Sequence, residues 1–261
     1  MPVVSTFCKK GGVGKTTFLG YLAHYYANQG KTVLIISADD QNSIFKIFGC
    51  ENFVTDNDDD FFENLLIGEK KPEEVVFEAR PGMYLMKTLN TDRLSINLTL
   101  KRSEEKKLRG LIEDFTNYFD YIFIDFPPSS SRLTEILLDI SEKILLVVGL
   151  DPLGIDGYKN TIQYFVDCDI EIDKISHIIP IGYHPIKITP NKALKELKIL
   201  AENYSPDAII ATPIKDKAII QNLQSEGISV FDNHTIKDKF HQKNLNEISK
   251  DLTEVYKSIV L

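Results

Sequence analysis

The densest chemistry in the sequence lies in eight residues near the amino end, Lys10-Gly11-Gly12-Val13-Gly14-Lys15-Thr16-Thr17. Glycines let successive backbone N–H groups turn toward one anion, and a helix starting directly afterwards adds the positive end of its dipole. The segment follows the strand-like run Val3–Phe7 and precedes a helix expected to begin near Phe18. This setting suits a nucleoside polyphosphate: Lys15 reaches the β- and γ-phosphates, and the Thr16 hydroxyl ligates magnesium.

Transfer of a phosphoryl group to water also needs charge neutralisation and a group that orients the attacking water. Two aspartates stand where strands are expected to end. Asp125 closes Tyr121-Ile-Phe-Ile-Asp125 ahead of Phe126-Pro127-Pro128, where its carboxylate suits magnesium, directly or through water. Asp39 follows the run Thr32–Ser37 in Ala38-Asp39-Asp40-Gln41. For each aspartate a helix cap or turn is the structural alternative.

The elements that hold these residues alternate along the chain. Apolar runs at Val3–Phe7, Thr32–Ser37, Met83–Lys87, Tyr121–Asp125, Lys143–Leu150, Ile175–Ile181 and Ala208–Ala211 read as strands buried on both faces. Stripes such as Leu19, Leu22, Ala23, Tyr26 and Leu108, Leu111, Ile112, Phe115 read as helices between them. The expected fold is α/β, a doubly wound, mostly parallel sheet flanked by helices, in one domain over residues 1–261. The acidic group Asp56, Asp58, Asp59 and Asp60 lacks the spacing of a calcium-binding hand and reads as a solvated loop leading into a helix.

With 261 residues, 43% hydrophobic and 26% charged, the chain is globular rather than disordered. Its longest strongly apolar stretch, Ile144 to Leu150, falls far short of the roughly 20 residues that cross a bilayer. Three scattered cysteines and no apolar leader point to a reducing cytoplasm. Five histidines, none paired at i, i+4, argue against zinc. The net charge of −8 is uneven: residues 1–180 carry 19 Lys and Arg against 28 Asp and Glu, residues 181–261 carry 11 against 10. Any polyanion-binding face is therefore expected in the carboxy-terminal part.

A general phosphate loop has glycine where this chain has Lys9. Lys10 followed by Gly-Gly-x-Gly-Lys-Thr instead resembles the deviant Walker A motif of the ParA/MinD family of dimeric ATPases. Further similarity lies in Leu65–Glu69, a Leu153–Gly157 turn after Asp151, and Thr212-Pro213-Ile214-Lys215 with Gly227–Val230. The resemblance implies a P-loop ATPase binding ATP and Mg2+ through Lys10, Gly11, Gly12, Val13, Gly14, Lys15, Thr16 and Thr17. It implies catalytic roles for Lys10, Lys15 and Asp39, with Lys10 reaching the partner subunit's phosphates, and Thr16, Asp39 and Asp125 around the metal. Asp39 lies in a segment similar to the family's Asp-x-Asp-Pro-Gln, but Ser37 and Asp40 replace the first aspartate and the proline, which bears on the hydrolysis rate. Backbone groups of Pro213 and Ile214 would read adenine, an ordinary strand exit being the alternative there, and Tyr183 would stack on the base. An iron–sulfur reductase of the same class lacks its cysteines here, and the related small-molecule kinases lack a lysine at position 10.

The function so implied is ParA-type partition of plasmid or chromosomal DNA by an ATP-state homodimer. That dimer binds nonspecific DNA through Lys187, Lys192, Lys195, Lys198, Lys215, Lys217, Lys237, Lys239 and Lys243, and is nucleoid-associated until a centromere-binding adaptor stimulates hydrolysis. No helix-turn-helix precedes Val3, so operator-specific repression is not expected. The alternatives are a MinD-like regulator on membrane or another cargo, and a switch with little hydrolysis. Leu245, Ile248, Leu252, Val255 and Ile259 form an apolar stripe. Its opposite face is acidic rather than basic, so packing against the domain is expected and stable membrane insertion is not.

Overall fold

A computed structural model describes residues 2–56, 62–88, 90–215, 218–233 and 239–259. Among them, strands β1 (Val3–Phe7), β2 (Val33–Ser37), β3 (Val76–Arg80), β4 (Met83–Met86), β5 (Tyr121–Asp125), β6 (Lys143–Gly149), β7 (Ile175–Tyr183), β8 (Ile209–Ile210) and β9 (Ile214–Lys215) form one sheet. Its order is β3-β4-β2-β5-β1-β6-β7-β8, with β9 also on β7, and only the β3–β4 pair is antiparallel. The expected strands thus appear with slightly different ends.

The helices are α1 (Lys15–Ala27), α2 (Ser43–Ile47), α3 (Glu51–Asp56), α4 (Phe62–Leu66), α5 (Pro72–Val75), α6 (Thr91–Leu100), α7 (Arg102–Phe115), α8 (Arg132–Ile140), α9 (Pro152–Asp167), α10 (Ile188–Tyr204), α11 (Ala218–Ser225) and α12 (Lys239–Ser258). Two positions differ from the sequence reading. Helix α1 begins at Lys15 rather than near Phe18, and Leu153–Gly157 forms the first turns of α9 rather than a turn. Asp56 ends α3, whereas Asp58, Asp59 and Asp60 lie outside the described residues.

Alternate side chains of each central strand enter two separate cores, as a sheet buried on both faces requires. One core joins Leu34, Ile36, Ile122, Ile124 and Leu146 to the helices α7, α8, α9 and α10. The other joins Ile35, Phe123, Leu145 and Val147 to α1, α2, α11 and α12. Helix α1 is buried almost all round because α2 and α12 cover the side turned away from the sheet; a Cβ on Gly20 would stand 2.7 Å from Ile44 Cδ1. The expected stripe on α12 is part of this core, with Leu245, Ile248, Leu252, Val255 and Ile259 all at most 5% exposed.

Strand β1 lies between β5 and β6, with the chain winding one way from it to β2 and β4 and the other way to β6 and β7. Ligands of open parallel sheets bind at the carboxyl ends of the strands where that order reverses. The loops after β1, β2, β5 and β6 all open there.

Candidate functional site

The loop after β1 takes its shape from two glycines, Gly12 at φ +70° and Gly14 at φ +91°, in the left-handed region that side chains with a Cβ avoid. Gly14 caps α1 without any side-chain partner for the first N–H groups of the helix. Those donors are left to an anion in a cleft of about 690 Å³ lined by Gly12 through Phe18, Asp39, Phe126, Ile181 and Ile214, with residues of α2, α11 and α12.

Lys15, 6% exposed, points back over this loop with its Nζ donating to the Lys10 carbonyl at 3.2 Å. Burial pushes its pKa down, against the pull of Cys8, Asp125 and Asp39. Asp125 ends β5 in register with both Thr6 and Ser37, and accepts a 3.1 Å hydrogen bond from the Thr16 hydroxyl. Burial pushes this carboxyl up to about 7, while Thr16 and Lys15 oppose the rise and Asp39 adds to it. A cationic amine and a hydroxyl of the anion-ready loop thus line the cleft, with a buried acid directly behind the hydroxyl.

Asp39 sits beyond β2 on a braced loop. The Ser37 hydroxyl donates to the Asp39 carbonyl at 2.9 Å, and the Asp39 carboxylate accepts the Gln41 N–H at 3.0 Å. Thr88 donates to the Ser37 carbonyl at 2.5 Å, and buried Asn42 exchanges hydrogen bonds with the Thr88 backbone at 2.8 and 3.1 Å. Ser37, which departs from the family motif, thus ties the loop down. Asn42 and Thr88 escaped the sequence reading because their pairing spans 46 residues.

Lys10 meets an unforeseen partner. Its Nζ lies 2.8 and 2.9 Å from the two carboxylate oxygens of Asp151, which also caps α9 by accepting the Gly154 N–H at 2.8 Å. Although partial burial would raise the Asp151 pKa, Lys10 and the α9 backbone hold it below the usual carboxylate range. Glycine is needed along the lysine's path: a Cβ on Gly157 would come 3.0 Å from Lys10 Cβ, and one on Gly149 would come 3.2 Å from Asp151 Oδ2. Lys9 is anchored separately, by its N–H on Thr161 and its ammonium over the Tyr164 ring.

The remaining sequence candidates separate. Ile214 lines the cleft, whereas Pro213 is not among its lining residues. Tyr183 is half-buried at the end of β7, opposite Lys215. Gln224 and Tyr21, which do line the cleft, carried no sequence signal.

The candidate DNA lysines among the described residues do not gather on one side. Lys187 caps α10, and Lys192, Lys195 and Lys198 are exposed along it, on the sheet face opposite α12 and its exposed Lys243. Lys215 is engaged by Glu247 and Asp251 at 3.5 and 3.3 Å. Lys217 and Lys237 lie outside the described residues, as does the side chain of Lys239. No described helix is long and apolar enough to cross a membrane.

The site fits nucleotide and magnesium on its own chemistry. Thr16 and Asp125 present two adjacent hard oxygens, and a carboxyl that burial has pushed up gains a counter-charge when a divalent cation binds. Uncapped helix donors and Lys15 match a phosphate chain.

Comparisons with known proteins agree with this fold. An AAA domain family model matches residues 1–175. The cell division protein PomZ of Myxococcus xanthus is 26% identical over 227 residues, covering 85% of this chain and 69% of PomZ. The sporulation initiation inhibitor protein Soj of Bacillus subtilis is 25% identical over 181 residues, covering 66% and 70% of the two chains. The ATP complex of Cyanothece McdA(D38A) superposes with a TM-score of 0.78 over all of this chain and 98% of McdA, at 17% identity. A putative plasmid partition protein of Borrelia burgdorferi bound to AMPPNP gives a TM-score of 0.68 over 96% and 98% of the chains, at 16% identity.

Proposed function

The chain belongs to the AAA domain family and within it to the ParA/MinD ATPases, and from that premise we propose that it partitions DNA by ATP-dependent dimerisation. The protein is an ATPase, of the kind involved in positioning or partition. We take residues 1–261 as one P-loop domain, supported by the single sheet from Val3 to Lys215 and by the packing of α12 on α1.

In this reading the N–H groups of Gly11 to Thr17 cradle the triphosphate and Lys15 neutralises its β- and γ-oxygens. Magnesium, held by Thr16 and Asp125 with Asp39 nearby, supplies further neutralisation of the phosphates when bound. Asp39 orients the attacking water, and its brace through Ser37, Asn42 and Thr88 keeps the carboxylate in place. Lys10 leaves Asp151 for the partner subunit's phosphates as two copies close on ATP. Ile214 and the α11 residues that line the cleft enclose the nucleoside end. Hydrolysis reopens the dimer, stimulated by a centromere-bound adaptor.

The observation that carries the DNA reading is the exposed lysine set on α10. Glu196 on that helix is already paired with Lys159 at 2.9 Å, leaving Glu202 as its other acid against Lys187, Lys192, Lys195 and Lys198. Names among the relatives favour partition too, in the Borrelia protein above. A MinD-like reading has support from the Aquifex aeolicus MinC:MinD complex, with a TM-score of 0.70 at 19% identity over 100% and 98% of the chains. The α12 stripe packs into the core and so does not offer its apolar face to a membrane.

Gel shifts on unrelated duplex DNA with ATP or ADP across a salt series, set beside liposome sedimentation, test the choice. Partition expects ATP-dependent retention on DNA that fades steeply with salt, since phosphate contacts release counterions. Retention on vesicles but not DNA contradicts it.

A further inference from the structure

On α11, Gln224 donates from its Nε2 to the Thr17 hydroxyl at 2.7 Å, across 207 residues of sequence. Thr17 lies in the first turn of α1, beside Lys15 and Thr16, and faces the same cleft as Gln224. One turn on, Tyr21 is 1% exposed, and its buried hydroxyl also faces Gln224. Both hydroxyls on this face of α1 thus look to one amide.

A threonine hydroxyl has one proton to donate and two lone pairs that accept. With a lone pair occupied by the Gln224 amide, and no described protein acceptor for the Thr17 proton, that proton is left for an acceptor in the cleft. The acceptors that the loop is built to receive are phosphate oxygens. Serving as acceptor toward the amide also polarises the hydroxyl and strengthens the bond it donates.

We infer that Gln224 is a positioning residue for nucleotide binding: it fixes Thr17 so that the hydroxyl donates to the phosphate chain. The inference rests on the nucleotide reading above and adds a residue from the far wall of the cleft to the phosphate loop. Chemical identity matters at this position. An amide offers Thr17 a donor, an alkyl group offers nothing, and a carboxylate offers only acceptors and would claim the Thr17 proton for itself.

Equilibrium binding of a fluorescent ATP analogue with magnesium tests it, on wild type, Q224L, Q224E, T17V and T17V/Q224L, with thermal unfolding as the folding control. Gln224 is half-exposed, so the substitutions leave the fold intact. Q224L is expected to bind about tenfold more weakly, the scale of one hydrogen bond. Q224E is expected to bind more weakly still, because it reverses the hydrogen bond and adds negative charge near the phosphates. In the T17V background Q224L is expected to add no further loss. Wild-type affinity in Q224E, or an undiminished loss from Q224L in T17V, overturns the inference while leaving nucleotide binding intact. No binding of the analogue by wild type overturns the nucleotide reading itself, and this inference with it.

Discussion

Lys10 and Asp151 form a two-pronged ion pair within one chain, at 2.8 and 2.9 Å, across 141 residues of sequence. The lysine proposed to serve a partner subunit is therefore held at home, by a carboxylate that also caps the helix after β6. In the proposed ATP-state dimer, closure must break this pair. The two side chains are 22% and 48% exposed, so solvent screens the pair and its contribution is small, within about 1 kcal/mol.

Replacing Asp151 with asparagine keeps an oxygen for the Gly154 cap and removes the charge that retains Lys10. ATP-dependent dimerisation is expected to strengthen about threefold, in line with a screened pair, while thermal stability changes little. Analytical ultracentrifugation against ATP concentration reads this directly. Weaker dimerisation in D151N would show that Asp151 supports the closed state instead.

Lys15 is buried and its charge is already disfavoured by desolvation. Lys15→Ala should remove nucleotide binding, by a factor on the order of 100 or more, with no loss of folding stability, because deleting a poorly solvated charge relieves a cost. Calorimetric titration with ATP and a melting curve together check it; retained affinity would remove Lys15 from the phosphate site.

Arg80 gathers three segments: its guanidinium holds the Asp232 carboxylate at 2.7 and 2.9 Å, the Phe48 carbonyl at 3.2 Å and the Gly227 carbonyl at 3.0 Å. There the end of α2 and the turn after α11 meet so closely that a Cβ on Gly227 would lie 2.4 Å from Gly49 Cα. Arg80→Ala leaves a partly buried carboxylate uncompensated and should lower stability by about 2 kcal/mol. Denaturant unfolding measures the loss, and a change under about 0.5 kcal/mol would make the clasp ornamental.

His24, in contact with Ser229 and near Asp232, is buried and its pKa is lowered to about 4, chiefly by desolvation. The unfolded chain takes up this proton near 6.5 and the folded chain only near 4, so stability is present above the unfolded value and is lost as pH falls between the two. From pH 7 to pH 4 the loss is about 3 kcal/mol. Urea unfolding across that range should show it, and His24→Gln, which takes up no proton, should flatten the slope. An identical slope in the variant would assign the acid sensitivity to other groups.

Much of this molecule is legible in the sequence because its central strands are buried on both faces and announce themselves as unbroken apolar runs. Strand β3 is not, since Val76–Arg80 is a partly exposed antiparallel edge with a glutamate in its middle, and only the Pro81-Gly82 turn behind it hints at a hairpin. The phosphate loop is equally plain, since its glycines, lysines and threonines are consecutive. The residues that brace it and the neighbouring Asp39 loop are not. Asp151, Asn42 and Gln224 act on partners 141, 46 and 207 residues away, distances at which residue spacing carries no signal. The distribution of the lysines was hidden for a related reason: a count along the chain ignores that α10 and α12 cover opposite faces of the sheet.

Light scattering of the Asp39→Ala protein with ATP and magnesium, alongside the same protein carrying Lys10→Ala, goes to the heart of the switch. Without Asp39 to orient water, the ATP state should persist and the mass should double, and adding Lys10→Ala should return it to that of one chain. A loaded protein that stays monomeric, or a dimer indifferent to Lys10, would contradict a nucleotide shared between two copies.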